Sequence, residues 1–287
     1  MKLVHVLNGD AMVEAFTATG LAGETLVWAE AAIDGPLAVD MSSAAIRDAR
    51  AEWIERHSGI AAADYRGRFD ARQLAWAGLP DEAELELVLW FERDLFCELH
   101  LLDLLGRTAA HAWQVSVVHP PTLALAPAQL AEAFARRHAC TLAERAQAHA
   151  AWAALVGTRD RGGAFFELGS DSTGSDSNWF AGLLASMQSD WRGCFPDARG
   201  LTRFDALALE LAAAGCSPRE LFRQVCERAE TRGLGLGDLQ VWLRLASLVE
   251  RGLLASDLPL PRADRDAPID RPSLRTRPEG LALLERD

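Results

Sequence analysis

The stretch ELVLWF at residues 86–91 is the strongest strand signal of this chain. Five apolar residues follow one another there, and such a continuous run is typical of a strand that is covered on both faces of a parallel sheet. The loop Glu92-Arg93-Asp94 comes next. Apolar residues then recur at helical spacing from Leu95 to Leu105, and Gly106 gives a regular stop signal. Residues 86–106 therefore predict a strand, a short acidic loop and an amphipathic helix.

The residues on both sides of this unit repeat the same alternation. KLVHVLNGDAMVEAF at 2–16 predicts a strand, a turn at residues 8–10 and a helix, and ETLVWA at 24–29 predicts a second strand. A polar helical stretch covers 42–79, and a further strand covers 113–118. Strands that alternate with helices favour a parallel, right-handed sheet. We expect an α/β domain at 1–125, Rossmann-like with flavodoxin-like strand order, in which the first strand lies beside the strand at 86–91.

The second half of the chain predicts two further regions. Residues 126–196 form a helical linker, alanine-rich at 127–156, with a mobile loop at 157–178 that contains GSDSTGSDSN. In residues 197–287, Ser217-Pro218 supplies a helix cap and a first-turn proline. A third helix starts at Gly237-Asp238, and the segment 274–284 is similar to the wing strand and last helix of winged helix-turn-helix domains. We expect a winged-helix-like domain at 197–287, with 259–272 as an extended wing loop.

The composition limits where in the cell the protein is expected and which classes of partner it is expected to bind. No apolar stretch approaches the roughly 20 residues that span a bilayer, and the first residues lack the pattern of a signal peptide, so we expect a cytoplasmic protein without a membrane partner. Five scattered cysteines without a CxxC pair predict reduced, mostly buried thiols. The formal charge of −12 disfavours general binding to nucleic acid, because such binding needs a basic surface. The sequence leaves open whether the protein forms a homo-oligomer.

Polar residues cluster just after the predicted strands, where open α/β sheets bind their ligands. If the first and third strands are neighbours, Asp10 faces Glu92 and Asp94, and the three carboxylates can hold one Mg²⁺ ion together with a phosphate-bearing ligand. We predict these three as metal ligands or catalytic acid/base groups. The predicted ligand-binding residues are the following: Asn8, Gly9, Glu30, Asp34 and His119.

Each of these residues also has a purely structural interpretation. Asp10 and Asp94 stand where helix-capping aspartates belong, whereas Glu92 has no such role and is the best single candidate. His5 is expected to be a core histidine with its hydrogen bonds satisfied, and His100 is expected on the surface. The sequence contains neither GxGxxG nor GxxxxGK[ST], so neither a dinucleotide fingerprint nor a P-loop supports nucleotide binding.

Three motifs together resemble a bacterial family catalogued as domain of unknown function 1835. They are LNGD at 7–10, WAE at 28–30 with DGP at 34–36, and WFERDLF at 90–96. The resemblance covers most of residues 1–125, and the C-terminal block looks like the partner domain that commonly follows. Arg93 stands where the family pattern has histidine, and Cys97-Glu98 replaces its usual polar pair. The resemblance implies the fold and the site residues, and it implies no activity or cofactor.

Three functions are compatible with these features. The first is binding of a polar, phosphorylated small molecule or nucleotide at the acidic edge of the sheet, by a metal-dependent hydrolase or transferase. The second is a transcription-associated regulator, in which a ligand-sensing α/β domain is joined to a DNA-binding winged helix. In that case the third helix offers Asp238, Gln240 and Arg244 as exposed contacts. The third is an interaction scaffold without chemistry.

Overall fold

A computed structural model describes residues 2–81, 84–120, 126–157, 165, 179–260 and 269–286. The chain forms two compact units. The first unit comprises 1–51 with 63–188, and the second comprises 52–62 with 189–287. The sheet that carries the candidate residues belongs to the first unit.

The first unit is built on a five-stranded, mostly parallel sheet. Its strands are β1 (Lys2–Leu7), β2 (Glu24–Val27), β3 (Leu85–Trp90), β4 (Gln114–Val118) and β5 (His138–Cys140). Their order is β2-β1-β3-β4-β5, with parallel pairs up to β4 and an antiparallel β5. The predicted α/β class is confirmed, and so is the expected pairing of the first strand with the strand at 86–91.

The helices of this region follow the expected alternation, with two differences. The predicted helical stretch at 42–79 is two helices, because Gly59 with φ of 75° interrupts it. The alanine-rich segment at 127–156 contains β5, a three-residue edge strand that carries no apolar pattern. The helices are α1 (Val13–Thr17, preceded by a 3-10 turn at Asp10–Met12), α2 (Ala44–Ser58), α3 (Ala62–Ala77), α4 (Leu95–Thr108), α5 (Pro127–Ala135), α6 (Leu142–Gly157) and α7 (Trp179–Gly193).

Strand β3 forms the centre of the core. All six of its residues are buried, which agrees with the expectation that the sheet is covered on both faces. On one face, Val88 and Trp90 pack with Met12 and Phe16 from the turn and helix after β1. Full burial of each such side chain stabilises the fold by about 1.5–3 kcal/mol. This packing fixes the loop after β1 against the end of β3.

The second unit contains helices followed by a two-stranded antiparallel sheet. Ser217 accepts a hydrogen bond from the Glu220 amide at 3.1 Å and Pro218 opens the next helix, as predicted. Gln240, expected to be exposed, is buried, and its side-chain oxygen lies close to Gly237 at the helix start. The elements are α8 (Arg203–Ala212), α9 (Pro218–Glu227), α10 (Ala229–Arg232), α11 (Asp238–Glu250), β6 (Leu254–Ser256), β7 (Leu274–Thr276) and α12 (Pro278–Leu284).

The remaining predictions concern loops and cysteines. The predicted mobile loop at 157–178 and wing loop at 259–272 lie largely outside the described residues. All five cysteines are free thiols, but only Cys97 is buried, because the other four lie on an edge strand or near helix ends. None of the described helices has both the length and the apolar character needed to cross a bilayer.

Candidate functional site

The strand order creates a switch point between β1 and β3. From β1 the chain adds β2 on one side and then returns to add β3 on the other, where Leu7 pairs with Trp90. In open parallel sheets, ligands bind outside the carboxyl ends of the strands at such a point. The loops after β1 and β3 carry most of the residues singled out from the sequence.

The loop after β1 consists of Asn8, Gly9 and Asp10. Gly9 has φ of 79° and ψ of 176°, a backbone conformation that only glycine adopts readily. Apart from its two chain neighbours, no atom of the described residues lies within 4 Å of where its Cβ would be. A ligand can therefore approach this backbone closely. Asp10 is exposed and does not act as the expected cap: it is the first residue of the 3-10 turn, Gly9 is the N-cap, and no side chain caps that turn.

The loop after β3 brings together a compact cluster of three residues. Glu92, Asp94 and Cys97 each place one potential ligand atom within 4.8 Å of the others. Asp94 is the N-cap of α4 and accepts a hydrogen bond from the Cys97 amide at 2.8 Å, so the structural interpretation of Asp94 is confirmed. Asp10, the third carboxylate predicted at this place, is not a member of the cluster.

The thiol of Cys97 is held in its protonated form. Burial raises its pKa, and the nearby carboxylates of Asp94 and Glu92 raise it further because they disfavour a thiolate. A protonated thiol is a poor nucleophile and a poor ligand for a hard cation. The chemistry of the cluster therefore belongs to the two carboxylates.

A buried hydrogen-bond network connects the loops after β1, β2 and β3. The Asn8 side-chain amide donates to Cys97 Sγ at 2.9 Å, and Asn8 Oδ1 lies 3.2 Å from His100 Nδ1. His100 Nε2 accepts from the Ala32 amide at 3.1 Å, so the ring proton resides on Nδ1 and is donated to Asn8. Burial lowers the pKa of His100 to about 3 and keeps the ring neutral.

The expectation that His100 lies on the surface is wrong. The loop after β2 covers this position of α4, and the side chain is only 1% exposed. Almost the whole of α4 is buried, its polar residues included, so the helix predicted to be amphipathic has no exposed face. Asn8 and His100 thus fix the geometry of the loops from inside the protein.

Glu30, in the loop after β2, is the centre of a buried ion cluster. One carboxylate oxygen accepts from Arg50 at 2.8 Å and from the Ala31 amide, and the other accepts from Arg72 at 2.6 Å and Tyr65 at 2.8 Å. Burial alone would raise the pKa of this carboxyl, but the two guanidinium charges overcome that effect and hold it at about 2. Both oxygens are occupied by the protein itself.

Asp34 is anchored by the same cluster. Its backbone carbonyl accepts from Arg50 Nη1 at 3.0 Å, and the following Gly35 has φ of 77°. Arg50 also binds the carbonyls of Ala31 and Pro36 at 3.0 and 2.7 Å. One buried arginine, which the sequence patterns did not indicate, therefore shapes the whole loop after β2.

The two histidines singled out near the sheet have different surroundings. His5 is a satisfied core histidine, as expected: Nδ1 accepts from Trp90 Nε1 at 3.1 Å, and Nε2 lies 3.0 Å from the Ala22 carbonyl. His119 follows β4, and its Nδ1 lies 2.9 Å from the carbonyl of Phe91, the residue before Glu92. Burial lowers the pKa of His119 to about 4. His119 is therefore a neutral ring at the end of β4, bonded to the backbone of the residue before Glu92.

Comparison with known protein families, with curated proteins and with solved structures finds no match to this chain. The resemblance to domain of unknown function 1835 therefore stays a prediction.

Proposed function

We propose that this protein binds a phosphorylated small molecule at the β1/β3 switch point, through a divalent cation held by Glu92 and Asp94. The observation that carries the proposal is the convergence of these two carboxylates, within 4.8 Å of each other, beside the loop after β1. Asn8 ties that loop to the cluster through its bond to Cys97. The arrangement agrees with the position of ligand sites in sheets of this order.

The chemistry of the donors favours Mg²⁺ or Mn²⁺ over softer metals. Two carboxylates at this separation repel each other, and a bound cation removes the repulsion. Magnesium is bound in proteins through one or two carboxylates, with water and substrate phosphate filling the other positions. Zinc would favour thiolate and imidazole ligands, but this cluster offers two carboxylates and a single thiol, and His100 uses both ring nitrogens in other hydrogen bonds.

The loop after β1 suits the phosphate that such a cation would bring. The backbone at Gly9 is open to a ligand on the side of its missing Cβ, as far as the described part of the chain is concerned. The exposed carboxylate of Asp10 would repel an unaccompanied phosphate, whereas the cation reverses that effect. A cation that orients phosphate and activates a water supports hydrolysis or group transfer, which is the reaction class we propose.

Calorimetric titration with MgCl₂, followed by inorganic phosphate, tests this proposal. Glu92→Gln and Asp94→Asn each remove one charge, and asparagine caps helices as well as aspartate does, so α4 keeps its start. We expect at least tenfold weaker Mg²⁺ binding in both variants. Asp64→Asn, an exposed acid in the first turn of α3, is the matched control and should bind as wild type does. Equal Mg²⁺ affinity in all four proteins would refute the proposal.

We also propose that residues 197–287 are of the winged-helix class and belong with the N-terminal region to the family named above. Three helices (α8, α9, α11) precede the hairpin β6–β7, and Cys216 forms an isolated antiparallel bridge with Leu274 of β7. Helix α11 suits DNA poorly: Asp238 and Glu250 are exposed, and Gln240 is buried. We therefore assign this region a packing or dimerisation role, and measurable binding to random duplex DNA at low salt would contradict it.

A further inference from the structure

A cleft of about 410 Å³ lies in the second unit, at the connection between α7 and α8. It is lined by the last residues of α7, by the loop 194–202, by one side of α8 and by Arg228 at the start of α10. All of these residues belong to the second unit. The volume falls in the range of small-molecule sites, so the cleft is large enough to hold a ligand of that size.

The cleft is basic, although the chain as a whole is acidic. The chain contains 41 Asp and Glu residues against 29 Lys and Arg residues. Among the residues that line the cleft this balance is reversed, since two are acidic, Asp197 and Glu210, and four are basic: Arg192, Arg199, Arg203 and Arg228. A concave surface lined mainly by one sign of charge concentrates the electric field and attracts ions of the opposite sign. The expected occupant is therefore an anion.

The loop between α7 and α8 holds Arg199 in place. Asp197 binds the guanidinium of Arg199, with Oδ2 2.9 Å from Nε and 2.8 Å from Nη2. The other oxygen of Asp197 accepts from the amides of Arg199 and Leu201 at 2.9 and 3.1 Å. One carboxylate thus fixes the loop and the arginine together. Nη1 of Arg199 makes no hydrogen bond within the described residues and remains available to a ligand.

Arg203 is fixed in a similar way at the start of α8. It donates from Nη1 to Asp190 at 2.8 Å and from Nη2 to the Ser189 carbonyl at 2.9 Å. Its guanidinium packs directly on Gly193, where a Cβ would lie only 2.6 Å from Cζ. Charged groups that are held in position before binding lose less conformational entropy when a ligand arrives. The cleft is therefore preorganised on this side.

Arg228 adds a positive charge that the fold does not use. Its side chain is exposed, and within the described part of the chain it forms neither an ion pair nor a hydrogen bond. Arg228 and Nη1 of Arg199 can therefore bind an anion without breaking any bond that the protein makes to itself. A guanidinium presents its N–H groups as a planar fork, which matches two oxygens of one phosphate group.

We propose that this cleft binds a small molecule that carries phosphate groups, through Arg199 and Arg228. The size of the cleft favours a small molecule. A long polyanion such as nucleic acid would also have to cover acidic surface, because the chain has a formal charge of −12. This site is independent of the cation site proposed at Glu92 and Asp94, since the arginines bind the anion directly and need no metal.

Calorimetric titration of the full chain with sodium pyrophosphate tests the proposal. The buffer contains EDTA, which removes divalent cations and so silences the proposed cation site. We expect saturable binding by wild type. Arg228→Gln and Arg199→Gln should each weaken it about tenfold, equivalent to about 1.4 kcal/mol. The matched control is Arg223→Gln, which removes the same charge from an exposed position on α9 outside the cleft and should bind as wild type does.

The outcomes are distinguishable from those of the cation test. Glu92→Gln should bind pyrophosphate in EDTA as wild type does, and a loss of binding there would place the anion at the sheet and refute the cleft. Absence of saturable binding by wild type would refute it as well, as would equal weakening by Arg223→Gln and Arg228→Gln. Displacement of pyrophosphate by random duplex DNA would assign the cleft to nucleic acid and overturn the proposal. Thermal unfolding followed by circular dichroism checks that the variants are folded, and Arg228→Gln alone suffices, because its side chain is exposed.

Discussion

Glu30→Gln is the substitution that tests most sharply how the loop after β2 is held. The carboxylate is buried and neutralises two buried guanidinium groups, those of Arg50 and Arg72. It accepts four hydrogen bonds, which come from two guanidinium groups, one hydroxyl and one backbone amide. Glutamine has the same shape but no charge, and its NH₂ group would point donors at donors. The variant leaves the buried guanidinium charges uncompensated. The donors that face the new NH₂ group lose their acceptor.

Two independent estimates give the size of the effect. Removal of one partner from a buried ion pair costs about 3–5 kcal/mol. The pKa of Glu30, which the fold lowers from 4.5 to about 2, corresponds to about 3 kcal/mol of preference for the charged form. The side chain is only 6% exposed, so solvent screening reduces this value little. We expect Glu30→Gln to lower the free energy of unfolding by about 3 kcal/mol.

Urea denaturation followed by tryptophan fluorescence measures this loss. The matched control is Glu24→Gln, which removes an exposed carboxylate paired with Lys2 at the start of β2 and should change stability by less than about 1 kcal/mol. A loss below 1 kcal/mol in Glu30→Gln, or equal losses in both variants, would show that the cluster does not hold the loop.

Two other perturbations follow from the same physical reasoning. Because the folded pKa of Glu30 is depressed, its contribution to stability is fully present above about pH 4.5 and is lost as pH falls towards 2. Wild type should therefore lose more stability than Glu30→Gln in acid unfolding between these two pH values. Parallel stability profiles of the two proteins would contradict this prediction. Gly280→Ala would place a Cβ 2.6 Å from the Leu253 carbonyl, so we expect a loss of about 1–3 kcal/mol in urea denaturation. Gly182→Ala is the control, because, apart from its chain neighbours and the backbone of its own helix, no atom of the described residues lies within 4 Å of the Cβ it would add. Equal stability of the two variants would refute the close approach at Gly280.

The parts of the fold that were predictable are those in which local pattern and tertiary environment agree. ELVLWF at 86–91 is apolar because it is covered on both faces, and periodicity reports that directly. The turn at Gly9 and the cap at Ser217 were likewise visible, since glycine and serine are needed there for local backbone reasons. The end of β3, and with it the position of Glu92, followed from these signals.

The interior of the site was not predictable, because its contacts join distant residues. Asn8 and Cys97 are 89 positions apart, and Arg72 reaches Glu30 across 42 positions. The local periodicity of apolar residues does not encode contacts between residues so far apart in the sequence. Glu30 looked like a ligand-binding acid because it follows a strand, and only the positions of Arg50 and Arg72 show that the protein itself occupies both oxygens. β5 was missed for a related reason: its three residues lie on the sheet edge and need no apolar pattern.

The most direct test of the account is a crystal structure grown with MnCl₂, in which Mn²⁺ replaces Mg²⁺ and is located by its anomalous scattering. We predict one Mn²⁺ ion at the end of β3, with oxygens of both Glu92 and Asp94 at coordination distance, about 2.1 Å. An ion bound elsewhere, or no ion at this cluster at saturating Mn²⁺, would contradict the proposal that these two carboxylates form a cation site.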